Sequence, residues 1–317
     1  MDISKTKPKK KHHKQPVFYL KGFTNSEGLL FVYNKDSGNV FESTPEAIAY
    51  ENDYFTFTNP LGDKDSESFE NYIAAIENNT APVIKKILDE QVITEKEKSG
   101  FALFVASMFL RASNFRRNAE DLYAQMRKFK IQAIASDKDK FHEAFKDFNL
   151  KEYEKNNPKP IKTLEELRQL ILHADEYFKF STEPLASLQI ILAEIDRLTV
   201  LFYNMKWCFL KATDNFKFIT GDNPVSYGDP TAGLLHKALM RRNTQVTIPL
   251  SKKIVAYGTW RPIKESAYIQ VKDRDVKGFN RNTVVATEAF VFASFKDPVF
   301  QKFVTKHKGS APAMKWS

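Results

Sequence analysis

The sequence predicts an α+β fold: a mainly antiparallel sheet built from N- and C-terminal strands, with a helical insert in the middle. Three observations carry that prediction. Short β-prone runs occupy residues 15–60, helical periodicity fills 65–205, and a period of two returns over 206–317. The chain has 317 residues, about twice the ~150 of a typical domain, so 15–317 reads as one composite domain or two interleaved ones. Apolar residues make up 42% and charged residues 27%, a globular balance, and 27 Phe with 12 Tyr supply ample bulk for a core.

The elements follow in order. Residues 15–23, QPVFYLKGF, read as an aromatic strand ended by Gly22. Residues 29–33 and 39–42 flank Asn34-Lys35-Asp36-Ser37-Gly38, two β-prone runs around a turn, which is a hairpin. Residues 54–57 resemble another short strand. From Asp65, Phe69, Tyr72, Ile73 and Ile76 recur at helical spacing, and Val83, Ile84, Ile87 and Leu88 do so after Pro82. That gives two helices or one kinked at the proline. Thr94 and Glu97 form a capping box opening a long helix, whose residues 101–110 are apolar on nearly every face and therefore central. Beyond Arg111 the same helix turns basic, with Arg116, Arg117, Arg127, Lys128 and Lys130. Residues 135–162 read as a mobile connection, Thr163 and Glu166 as a second capping box, and Pro184 as the N1 residue of a helix running to about Tyr203. Strands are then expected at 206–211, 216–220, 244–250, 254–257 and 290–295, with a helix at about 273–285.

Charge is concentrated at the amino end. Residues 1–14 hold six lysines against Asp2, which is +5 of the formal +9. Such a run reads as a disordered basic tail, whose Lys9, Lys10, Lys11 and Lys14 attract polyanions without sequence preference. Arg116 and Arg117 are the basic counterparts on the central helices. The single cysteine, Cys208, rules out an internal disulfide and a thiolate zinc site, and its WCFL setting predicts a buried, inert thiol. With no secretory h-region and no apolar run of ~18 residues, the expectation is a cytoplasmic protein that does not enter a membrane. A Walker A loop, GxGxxG, HExxH and GxSxG are all absent, so no nucleotide-cofactor motif is present.

What remains is a set of polar residues in unusual places. Gly221-Asp222-Asn223-Pro224 follows the run FKFIT, where a carboxylate and an amide suit a metal or a substrate hydroxyl; the same residues also make an ordinary turn. Arg111 follows ten apolar residues and needs an anion or carbonyl partner, either a substrate or a structural carboxylate. Glu51 sits among aromatics and is either desolvated or an exposed loop acid. Asn280 serves a site or a cap.

These residues resemble a family, the bacterial proteins carrying the domain of unknown function 4238. Residues 13–23, HKQPVFYLKGF, are similar to its opening His-x-x-Pro-Gln-Phe-Tyr-Leu signature. Thr44-Pro45-Glu46 with Glu51 and Tyr54-Phe55 resemble a second block, and Glu70 and Glu77 a Glu-containing helix. Arg111 to Arg116 resemble a Leu-x-x-Arg segment and residues 218–225 a Thr-Ser-Asp-Asn-Pro stretch, with Pro249-Leu250-Ser251 and Asn280 closing the correspondence. Val17 stands where the signature has Gln, and Gly221 where Ser is frequent; an altered activity is expected if that Gln is functional. The resemblance implies that His13, Glu51, Glu77, Arg111, Asp222 and Asn280 are motif positions.

Two functions are consistent with this set. One is a metal-dependent phosphodiester hydrolase, nuclease-like, in which Glu51, Glu77 and Asp222 hold Mg²⁺ or Mn²⁺, hard ions that prefer oxygen ligands. His13 would then be the general base and Arg111 the clamp on phosphate charge, with Asp222 both ligand and catalytic group. The other is a non-enzymatic module that grips nucleic acid or an acidic protein through the tail and the basic helix face. The first requires the polar set to converge in one pocket.

Overall fold

Residues 11–48, 50–58, 62–150, 152, 161–173, 184–231 and 239–310 are described by a computed structural model. At the amino end, β1 (Lys11–His13) leads into α1 (Val17–Lys21). Two expectations are corrected here. Residues 11–13 are not part of an unstructured tail, because they pair with a later strand; Lys9 and Lys10 lie outside the described residues. The run 15–23 is a helical turn rather than a strand. Pro16 caps it at φ −65°, and Tyr19, Leu20 and Phe23 are buried together, a spacing of one, three and four that a strand cannot put on one face.

The hairpin forms as expected from β2 (Leu30–Asn34) and β3 (Val40–Ser43). Asn34 Oδ1 accepts from the N–H groups of Asp36 and Ser37, and Gly38 takes φ 73°, so the turn chemistry is local. Next, β4 (Tyr50–Asn52) pairs antiparallel with β1, setting His12 opposite Glu51 and His13 opposite Tyr50. The strand expected at 54–57 is reduced to β5 (Phe57–Thr58), paired with β6 (Lys64–Asp65).

The middle is helical. α2 (Ser68–Leu88) runs through Pro82 as one helix, and its apolar spacing buries Phe69, Ile73, Ile76, Val83, Ile84 and Ile87. α3 (Glu95–Leu110) opens on the Thr94–Glu97 capping box, with Thr94 Oγ1 accepting from Glu97 N–H and Glu97 Oε2 from Thr94 N–H. It is central: Phe101 meets Trp207 and Phe209 across the core, while Phe104 meets Phe18 and Tyr19 of α1. The expected continuation of α3 past Arg111 is corrected: Ala112 is extended, at ψ 138°, and a separate helix, α4 (Ser113–Ser136), begins after it. Part of the expected mobile connection is ordered instead, as α5 (Lys138–Ala144). Its Phe141 packs with Ala135, Ile161, Leu167 and Ile171, the last two on α6 (Leu164–Leu172). α7 (Pro184–Asn204) begins at the expected proline.

The carboxy-terminal part contributes β7 (Lys206–Lys211), β8 (Thr220–Gly221), β9 (Ser226–Gly228), β10 (Gln245–Pro249), β11 (Ile254–Thr259), β12 (Tyr268–Gln270), α8 (Asp273–Ala286), β13 (Phe290–Ala293) and α9 (Pro298–Lys306). Only the last residue of the expected 216–220 strand, Thr220, is ladder-bonded, together with Gly221. One sheet has the order β12-β7-β11-β10-β9, antiparallel except for β12 against β7. The other, β3-β2-β13-β8, is antiparallel and joins the two ends of the chain. Cys208 is buried inside β7, where desolvation pushes its thiol up to about 11, as the sequence led one to expect of an inert cysteine. Among the described residues no helix is long and apolar enough to cross a membrane.

Candidate functional site

The signature after β1 does two jobs. Its apolar residues anchor α1, and its polar residues reach the start of β8. Tyr19 Oη hydrogen-bonds Thr220 Oγ1 at 2.7 Å, and Gln15 Nε2 donates to Gly221 O. Gly22, at the end of α1, approaches Leu250 so closely that a Cβ would stand 2.8 Å from its carbonyl oxygen, and Gly22 O accepts from Lys252 N–H at 2.8 Å. The signature is therefore in direct contact with two motifs more than two hundred residues further along the chain, counted from Gln15.

Beside this junction lies a cleft of about 940 Å³. One wall carries Lys14 and Gln15, a second Glu51, Asp53 and Tyr54, and a third Ser113, Arg116, Arg117 and Glu120 from the first turns of α4. Asp222, Glu288 and Phe290 close it. Six carboxylates line it, with Asp36 the sixth, against the three cations Lys14, Arg116 and Arg117. Each cation is held. Lys14 Nζ is 2.5 Å from Glu51 Oε2 and donates to Ser113 Oγ at 3.1 Å. Arg116 stacks over the Tyr54 ring, 4.4 Å from its centroid, and donates to Glu120 Oε1, Ser187 Oγ and Tyr54 O. Arg117 pairs with Glu288 Oε1.

Asp222 is anchored to the chain. Its Oδ1 accepts from Glu288 N–H at 2.8 Å, and its Oδ2 from Ala289 and Phe290 N–H at 2.7 and 2.8 Å. Burial raises its carboxyl above the ordinary aspartate range, opposed by those amides and by the charges of Lys14 and Lys35. Asn223 is buried and donates to Ala286 O at the end of α8, and Asn280 hydrogen-bonds the backbone of Lys217 and Ile219. These two serve the architecture and do not line the cleft.

Arg111 and Glu77 are elsewhere. Arg111, 1% exposed at the end of α3, donates to Glu77 Oε1 on α2 at 2.5 Å, the structural-carboxylate alternative that its position after an apolar run left open. His13 is partly buried with its ring edge toward Tyr50, off the cleft wall, whereas its neighbour His12 is fully buried. His12 Nδ1 accepts from Phe55 N–H, so its Nε2 carries the proton and donates to Ser66 O. Of the predicted set, the cleft thus brings together Lys14, Glu51, Arg116, Arg117 and Asp222. Val17, at the signature's Gln position, is not on its wall.

Gln15, Tyr54, Ser113, Glu120 and Glu288 are cleft residues that sequence reasoning passed over. The signal for Gln15 was present: an amide between a lysine and a buried apolar turn, inside the signature itself. Glu288 had none, since a lone Glu before a strand is unremarkable in a chain with 39 acidic residues.

The predicted metal-ligand set does not assemble, because Glu77 is committed to Arg111. Among the described residues no three of His, Cys, Asp and Glu are gathered to hold an ion. Glu51 and Asp222 remain on the cleft, and Mg²⁺ is commonly held by one or two carboxylates together with water and substrate phosphates. The residues present thus fit an ion shared with a substrate, and not a closed protein cage.

No curated protein and no solved structure matches the chain. A family model does, over residues 11–297, which takes in the cleft and every motif described above. The chain therefore belongs to the family described as Protein of unknown function (DUF4238).

Proposed function

We propose that the protein is a nuclease-like phosphodiester hydrolase and that the cleft beside Asp222 receives the substrate. The observation that supports this is convergence: segments around Lys14, Glu51, Arg116 and Asp222, distant in sequence and each belonging to a motif, line one cleft of a size suited to a small ligand or a nucleotide unit. Lys14 would turn from Glu51 toward a phosphate, while Arg117 stays on Glu288 and adds its charge. Because carboxylates outnumber cations, a phosphodiester entering the cleft requires added positive charge. Glu51 and Asp222 are the groups that would hold Mg²⁺ or Mn²⁺, which supplies charge neutralisation and polarises the phosphoryl oxygen. The base role read onto His13 does not continue, since its ring is off the wall. The reading assigns the protein to the cytoplasm, where its nucleic acid is.

A second reading, binding without hydrolysis, is favoured by one observation: all three cations already have acidic partners, so the cleft is complete as a static, charge-paired surface. The experiment that separates them runs single- and double-stranded DNA and RNA with Mg²⁺, Mn²⁺ or EDTA. Wild type runs beside Glu51→Gln and Arg117→Gln, with bound and cut species resolved. Hydrolysis predicts metal-dependent cutting that falls about 100-fold in each variant. Binding that is never followed by cutting, and that weakens with salt, retires the hydrolase in favour of the binder. No binding at all removes both.

A further inference from the structure

Two residues of the cleft lining each carry a buried acceptor atom with no donor from the protein. Gln15 is 2% exposed, and its orientation is fixed because Nε2, the only donor it has, is spent on Gly221 O. Its Oε1 is therefore an acceptor, buried and without a partner. Glu288 is the other case: Oε1 takes Arg117, while Oε2 is buried and unpartnered. Both side chains line the cleft, and both adjoin Asp222, Gln15 through Gly221 and Glu288 through the N–H that Asp222 accepts. Buried acceptors left unpaired are costly, so a group that brings O–H or N–H to them is favoured over one that does not.

We infer that Gln15 Oε1 and Glu288 Oε2 accept from sugar hydroxyls of the ligand, one hydroxyl to each oxygen, so that the cleft takes RNA in preference to DNA. This rests on the phosphodiester reading and narrows it. Phosphates are the same in the two polymers and cannot distinguish them. The 2′-hydroxyl is the donor that DNA lacks, and these two oxygens are acceptors, which a phosphate cannot use. A site built to hydrogen-bond a hydroxyl rejects the analogue without it, because its own polar atoms are then stranded.

The test is equilibrium binding of short RNA and DNA strands of one sequence, composed of A, C and G only so that the sugar alone differs. It is measured with Mg²⁺ in the cold by fluorescence anisotropy. Wild type is expected to bind RNA about tenfold more tightly than DNA, the worth of one or two hydrogen bonds. Glu288→Gln keeps an oxygen for Arg117 and turns the unpartnered acceptor into an N–H donor. It changes the charge equally for both polymers, so the RNA-to-DNA ratio isolates the hydroxyl contact and is expected to fall toward one. Gln15→Met removes the second acceptor and is scored by the same ratio on protein that retains a cooperative melt. Equal binding of RNA and DNA by wild type overturns the inference and leaves the phosphodiester reading standing. A preference that survives in both variants also overturns it, since the discrimination then lies elsewhere. Failure to bind either polymer removes the phosphodiester reading itself.

Discussion

At the scale of single residues, the family's frequent Ser is excluded at position 221 by a neighbour. A Cβ built on Gly221 overlaps the Thr287 hydroxyl, which itself donates to Thr283 O at the end of α8. Gly221→Ser is therefore expected to destabilise the fold by about 2 kcal/mol, as overpacking of a closed site does, and Thr287→Ala in the same chain to recover most of that. Urea unfolding of the two single variants and the double variant checks this; additive losses would show that the two positions do not meet. Residue roles were the least legible part of the sequence. Arg111, Asp222 and Asn280 are all polar residues in apolar or turn settings. Nothing in a one-dimensional pattern separates a partner on a ligand from one on the chain's own backbone. Asp222 stands between these cases, its oxygens tied to three amides and its side chain on the cleft wall.

At the scale of elements, what was legible was what local chemistry decides. The Thr94–Glu97 box, the Asn34 turn and the proline at the start of α7 need only near neighbours, and each forms where expected. Residues 15–23 misled because nine residues rich in aromatics satisfy a short strand and a helical turn equally well; contacts with α3 and β8 decide between them. The capping box also carries a pH signature. Glu97 accepts from the Thr94 N–H and then from Lys86, which together hold its carboxyl down at about 2, against an ordinary value of 4.5. A depressed acid lends stability above its unfolded value and loses it as the pH falls through the folded one. The urea midpoint of Glu97→Gln is accordingly expected below that of wild type at neutral pH, with the gap closing between about pH 4.5 and about pH 2. A gap that stays constant through this window would mean that Glu97 acts through packing and not through its charge.

At the scale of the whole molecule, the dependence runs between chain ends. In the four-stranded sheet β13 is held between β2 and β8, so β8 has no strand partner in that sheet, and the β2–β3 hairpin no third strand, until β13 is in place. The sequence forecast an α+β sheet drawn from both ends. The division of the strands into two sheets came from long-range pairing that no local pattern encodes. Lys35 illustrates the coupling: it belongs to the β2–β3 turn, yet it is buried with its ammonium on Val284 O and Thr287 O, capping α8 from the far end of the chain. A fragment comprising residues 1–289 is expected to lose the cooperative thermal transition of the full chain, measured by circular dichroism. A fragment that melted as sharply and at the same temperature would show that the two ends contribute independently.

The cleft draws on this same late pairing, and that has a consequence in time. Its walls are supplied by residues as early as Lys14 and as late as Phe290 and Phe292. While the chain is being made, the early wall waits without its counterpart until translation has passed Phe292. Under the RNA-directed reading, a nascent chain would therefore stay inert beside the ribosome's own RNA, and competence would arrive only once β13 has emerged and paired.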